Sequence, residues 1–560
     1  MNAPSRPPRG LARTPGQQLL LFALIGVAVV VLLTVGLTMA AGPSGLSAGI
    51  DPATKTITVS IEQEPPQLDS GVSMDAVSGM VLGHVMEGLL RRDASGALAP
   101  GVAERWEVGA TGATFWLRAD AKWSDGKPVT ARDFLFAWRR VVDPATASEY
   151  ANILSGIRNA DAINSGRLPA TALGVEAIGD RVLEVQFERP MPFFDQLTAT
   201  AIFLPVREDF WKATRGRYAS SAGTLLYNGP FTMTKWVHGA HIRMEKNPHY
   251  WDRDQIALNV IDIPYFTADP VARINLFRDG KIALSPITPE NLEEAQLLGW
   301  TIRSFNEGPV FYVEFNHRAG RLSSNRNFRK AIQHALDPVV EVNKVIKAPG
   351  YLPGKSLFPV WLEGVEGKFR EEYPVPEVTP DTARARAYLE RARQELGLEA
   401  FPPIMLLTPD TPIPGRVAEH YQDRLKRELG LDVRIDRQIF KQMLAKALAG
   451  EFDMRLGGWS ADYADPLTFA DLFMTGNQQN RGQYSNPALD RQVEIARNSI
   501  DPKTRMDAFG AIQAIIVDDA VILPSYERTL LYVVDPRLSG VVRRTIGGDP
   551  DYSRARIVAD

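Results

Sequence analysis

Cysteine is absent from all 560 residues. This excludes disulfides, thiolate metal sites, a cysteine nucleophile and a lipid-modified N-terminal cysteine. A large excess of charge of either sign is also missing. Sixty-six acidic residues balance 63 basic ones to a net −3, spread without long runs, so there is no electrostatic footprint for nucleic acid. No fixed repeat runs along the chain, which excludes solenoids and propellers. The enzyme motifs present are incomplete. Gly45-Leu46-Ser47-Ala48-Gly49 has the Gly-x-Ser-x-Gly spacing of serine hydrolases but follows no core strand. The run Gly350 to Ser356 resembles a phosphate loop with one residue too few between its glycines. His238 and His241 have no glutamate completing a zinc-protease helix and read as surface or hairpin histidines.

An apolar content of 45%, a charged content of 23% and ten tryptophans describe an ordinary folded protein. The length allows more than one core, since single cores stop growing near roughly 250–300 residues. At the N-terminus, Arg6, Arg9 and Arg13 precede an uncharged apolar run from Leu19 to Ala41. At about 1.5 Å per residue this run is long enough to cross a bilayer. It exceeds the roughly 7–15 residues usual for a signal-peptide apolar region, so a retained transmembrane anchor is expected. Thr38-Met39-Ala40 keeps a cleaved signal as the alternative. The basic residues place 1–18 in the cytoplasm and the body outside. Residues 42–55, rich in Pro, Ser and Gly, read as a flexible tether.

The body begins near Thr56, where Ile57, Val59 and Ile61 alternate with polar residues as in a strand. A helix is expected over Ala76–Leu90, and a strand over Val182, Leu183, Val185 and Phe187. Asn228-Gly229-Pro230-Phe231 opens a hairpin-rich stretch that ends at Asn247-Pro248-His249-Tyr250-Trp251-Asp252. Further helices are expected at Asn327–Leu336, Asp381–Leu396, Gly415–Leu429 and Lys503–Val517. The mixture predicts α/β lobes.

The most informative stretch is Ala119–Pro144, an extended segment, a turn and an amphipathic helix. Asp125-Gly126 suits the turn, Thr130 and Asp133 suit a helix cap, and Phe134, Leu135, Trp138, Val141 and Val142 share one face. It resembles the signature of the oligopeptide- and dipeptide-binding proteins that serve ABC importers. Three further blocks follow in that family's order: Gly229-Pro230-Phe231 with the Asn247–Asp252 run, Phe328-Arg329-Lys330-Ala331-Ile332, and Gly457 through Pro466. The resemblance covers nearly all of 56–560.

It implies a two-lobed periplasmic-binding-protein fold with a hinge and an inserted third subdomain. Lobe one is then expected from 56–94, 206–305 and 530–560, the insert from 95–205, and lobe two from 306–529. By the same resemblance, Asp462 of the Trp459-Ser460-Ala461-Asp462-Tyr463 run pairs with a peptide's α-ammonium, with Trp459 and Ser460 lining the site. A buried ammonium does require a carboxylate partner. Tyr150 resembles a tyrosine that contacts peptide, and Phe440 stands where relatives have a tryptophan walling a side-chain pocket. Two positions depart from the pattern. Leu456 replaces an arginine that faces the ligand in some members, and Pro414 replaces a loop histidine. Arg455, on a strand, would point to the opposite face. Recognition of the far end of a peptide is therefore left open.

The expected protein is a monomeric solute-binding protein that delivers oligopeptides to the permease subunits of an ABC importer. It is expected to be periplasmic, held at the inner membrane by its N-terminal helix, and to need no cofactor. Within the family the alternatives are a dipeptide, haem or nickel-complex binder, or a sensory or chaperone use of the same cleft. Outside it, the alternative is an exported peptidase, for which the sequence offers no nucleophile–base pair or metal cluster.

Overall fold

The computed structural model describes residues 48–73 and 75–558. The 19–41 apolar run lies outside them. Among the described residues, no helix is long and apolar enough to cross a membrane.

Three sheets carry the fold. The first has five strands in the order Ile50–Asp51, Thr56–Ile61, Val260–Phe266, His241–Lys246, Phe231–Val237. Thr56–Ile61 runs parallel to Val260–Phe266, and the remaining pairs are antiparallel. The second is a four-stranded antiparallel sheet of Ala103–Val108, Gly112–Leu117, Val182–Gln186 and Val175–Ile178. Its buried side chains, among them Phe115 and Leu183, are continuous with the core of the first sheet.

The signature stretch builds the junction between these two sheets. Gly126, at φ +84, closes the turn in a region that side chains rarely adopt. Thr130 then caps the helix Ala131–Val142, its amide donating to Asp133 Oδ2 at 2.8 Å. Trp123 Nε1 donates to the same oxygen at 3.2 Å. That buried carboxylate therefore serves as a joint between turn and helix, and burial raises it above the usual carboxylate range. Phe134, Trp138, Val141 and Val142 are buried as expected, while Leu135 is half-buried.

The third sheet has seven strands. Its central pair, Ile302–Phe315 and Ile522–Val534, is antiparallel and long. Tyr532 and Val534 lie in the core of the first sheet, whereas Val313, Phe315, Leu523 and Tyr526 lie in a second core. The same two strands thus pass from one core to the other. Their pairing shifts register between Asn306 and Val310, near the crossing.

One element ends earlier than its sequence suggests. The helix expected over Ala76–Leu90 stops at Val85, and Leu90 opens a short strand. The amide of Gly229 donates to the Val85 carbonyl at 3.0 Å, and the Asn228 side chain bridges the backbone of Glu87. Glu87 then turns inward to accept from the Tyr250 hydroxyl and Trp251 Nε1, both at 2.6 Å. Two distant sequence blocks therefore meet at this helix end, and their hydrogen bonds outweigh the apolar run that would have continued it. The other four expected helices form within a few residues of their expected bounds. His238 and His241 flank the hairpin turn, where Glu64 and Asp262 take them up at 2.6 and 2.8 Å.

Candidate functional site

The strand Met454–Trp459 pairs along its whole length with Ile302–Phe315 on one side. On its other side, Ile404–Pro409 pairs only with Met454 and Arg455. The edge from Leu456 to Trp459 thus has no strand beside it among the described residues, so backbone groups are presented there for pairing. Gly458 permits this course, since a Cβ there would lie 2.7 Å from the Val310 carbonyl oxygen.

Beyond Trp459 the chain turns and is pinned. The amide of Asp462 and Nε1 of Trp459 both donate to Thr468 Oγ1, at 3.2 and 3.4 Å. Asp465 is buried, accepting from the Leu467 amide at 3.0 Å and from Arg505 Nη2 at 2.8 Å. These bonds fix the backbone and leave the Asp462 side chain outside them. Its carboxylate has no hydrogen-bond or ion-pair partner among the described residues. It reaches solvent, yet the protein around it raises its pKa above the ordinary value by desolvation alone.

Two cavities meet at this residue. One, of about 910 Å³, is lined by Ser460, Asp462 and Tyr150, with Met86, Arg92 and Arg544. The other, of about 410 Å³, is lined by Trp459, Ser460, Asp462 and Phe440, with Leu456 and Tyr526. All five residues singled out in the sequence therefore line one or both cavities, and Ser460 and Asp462 line both. Desolvation and then the charge of Asp462 push the Tyr150 hydroxyl above its usual value, so the two side chains sense each other. Phe440 is 66% exposed at the start of the helix Phe440–Ala449, which leaves its ring free to wall the smaller cavity.

The departures at Leu456 and Pro414 both border the smaller cavity. Arg455 is buried against Glu314, with Nε donating to Oε2 at 2.8 Å. Sequence reasoning passed over Thr468, Arg481 and Phe193. Thr468 and Phe193 hold the loop, and Arg481 lines the smaller cavity. Thr468 lies six residues beyond Asp462, just past the block, whereas Phe193 and Arg481 carry no local signal because each reaches the site from a separate segment. Among the described residues, no three His, Asp or Glu side chains stand together as a metal site requires.

A solvent-open cleft at the junction of α/β cores is the construction of a solute-binding protein. The chain belongs to the bacterial extracellular solute-binding proteins of family 5, whose middle region matches residues 97–481. Its fold is the mixed α/β fold of periplasmic binding proteins. It is 30% identical over 495 residues to the dipeptide-binding protein DppE of Bacillus subtilis, covering 88% of this chain and 90% of that one. Among solved structures, the unliganded open form of the murein tripeptide-binding protein MppA matches with a TM-score of 0.78 at 27% identity, over 90% of this chain and 98% of that one. Listeria monocytogenes OppA bound to peptide matches with a TM-score of 0.71 at 29% identity, over 90% and 99%.

Proposed function

We propose that this chain captures oligopeptides outside the cytoplasm and delivers them to the permease of an ABC importer. The observation that carries the reading is the unpartnered Asp462 carboxylate at the end of an open strand edge. A peptide's α-ammonium supplies the missing cation, and its backbone supplies the missing strand. Main-chain pairing of this kind gives affinity independent of sequence. Tyr150 and Ser460 then contact the first residue, while Trp459 and Phe440 wall a side-chain pocket. The peptide-binding names of the relatives support the same ligand class.

The lobes on this reading are 56–94 with 206–305 and 530–560, and 306–529, with 95–205 inserted in the first. The two long central strands serve as the hinge, and the protein acts as a monomer that closes on its ligand. Residues 19–41 tether the protein to the inner membrane. Recovery of the mature protein free in the periplasm, starting at Ala41 or later, would refute the tether.

Calorimetry tests the ammonium assignment. Asp462→Asn is expected to weaken peptide binding by roughly 2–5 kcal/mol, the usual effect of truncating one member of a buried charge pair. Acetylating the peptide N-terminus is expected to cost the wild type a similar amount and the variant much less, because both changes delete one interaction. Equal losses in the two proteins would assign the ammonium elsewhere.

A further inference from the structure

The smaller cavity is apolar over most of its wall, with Pro309, Phe311, Val417, Met443, Leu444 and Leu456 among its lining, and yet Arg455 and Arg481 also line it. Both guanidiniums feel the charge of Glu314, but only Arg455 bonds to it. Glu314 accepts from Arg455 twice and from the Gly482 amide at 2.8 Å. Arg481 donates from Nη2 to the Gln479 side chain at 2.7 Å, its Nε is buried with no partner, and no described carboxylate pairs with it. Its pKa is lowered by desolvation first and by Arg455 second, and Glu314, beyond ion-pair distance, opposes them only in part.

A guanidinium with no bonded counter-ion in an apolar recess is costly unless an anion arrives. We propose that Arg481 is a specificity-determining residue that binds a carboxylate of the ligand, so the smaller cavity selects an apolar side chain next to an anionic group. The proposal rests on the peptide reading above. An ammonium at Asp462 and a carboxylate at Arg481 define a dipolar ligand. Its anion is either the α-carboxylate of a short peptide or an acidic side chain of a longer one.

The test is calorimetry of wild type, Arg481→Gln and Arg481→Lys against Ala-Leu-Phe as free acid, the same tripeptide as C-terminal amide, and the amide Ala-Leu-Glu-Phe. If the α-carboxylate is the anion, amidation weakens wild-type binding roughly tenfold to a hundredfold, the range of hydrogen bonds to charged groups. Arg481→Gln is then indifferent to amidation and Arg481→Lys partly restores the difference. If an acidic side chain is the anion, the glutamyl amide binds the wild type more tightly than the plain amide, and Arg481→Gln erases that gain. Either pattern supports the proposal. Wild-type affinities indifferent to both changes overturn it without any variant, as do equal responses in wild type and Arg481→Gln. Failure of the wild type to bind any of the three peptides would overturn the peptide reading itself, and this proposal with it.

Discussion

Phe193 stacks face to face on Tyr463, with ring centroids 5.2 Å apart and planes inclined by 13°. Phe193 comes from the segment leading out of the four-stranded sheet, and Tyr463 directly follows Asp462 in the chain. Both rings pack against two cores, that of the first two sheets and that beside the strand Met454–Trp459. The loop bearing the unpartnered carboxylate is therefore braced from the far side by an aromatic contact, and from the near side by Thr468.

Phe193→Ala removes the stack. The pair contributes about 0.5–1.5 kcal/mol beyond its buried area. With the area lost from a half-buried ring, the variant is expected to be destabilised by about 2 kcal/mol in urea unfolding. Peptide affinity should also fall, since the loop loses one of its supports. A change below a few tenths of a kcal/mol in stability would show that the stack does not brace the loop.

Asp462→Asn should stabilise the ligand-free protein even as it weakens binding. Desolvation raises the Asp462 pKa in the folded state, so between the unfolded value and the raised one the folded protein binds more protons. Stability then falls as pH rises through that window. The amide has no such loss. Its melting temperature is expected to exceed wild type at pH 7, and the difference is expected to vanish near pH 4. A variant less stable than wild type at pH 7 would contradict this account.

Glu341 offers a stronger pH dependence away from the cleft. It is buried, accepts from the Tyr421 hydroxyl at 2.5 Å and from Ser525, and is pushed up to about 7 by burial. The protonated form is favoured by folding, so its contribution is complete below about pH 4.5 and is lost as pH rises to 7. A shift of this size corresponds to roughly 3 kcal/mol. Glu341→Gln is expected to flatten the fall in stability over pH 4.5–7, measured by denaturant unfolding at a series of pH values. An unchanged profile would place the titration elsewhere.

Closure has its own signature. Peptide at a hundredfold excess over Kd is expected to stabilise the protein by about 2.7 kcal/mol, and to reduce the radius of gyration in solution scattering. Scattering that does not change in saturating peptide would rule out hinge closure about the strands Ile302–Phe315 and Ile522–Val534.

Local chemistry was legible wherever the physical cause was local. The cap at Thr130 and the turn at Gly126 each depend on residues within four positions of one another. The helix at Thr382–Glu395 declares itself by Asp381, whose side chain accepts from the Arg384 amide. Asp462 was found through the wording of its block rather than its chemistry. An aspartate in a loop carries no local mark of having no partner. The end of the helix at Val85, the open edge of Leu456–Trp459 and the solitary guanidinium of Arg481 were not legible in this way. Each depends on what a segment tens to hundreds of residues distant does or fails to do. Gly229 ends the helix, Ile404–Pro409 pairs no farther than Arg455, and Glu314 bonds to Arg455 and Gly482 rather than to Arg481. Hydrogen-bond and charge saturation are properties of the packed neighbourhood, and only tertiary structure decides which groups are left over for a ligand.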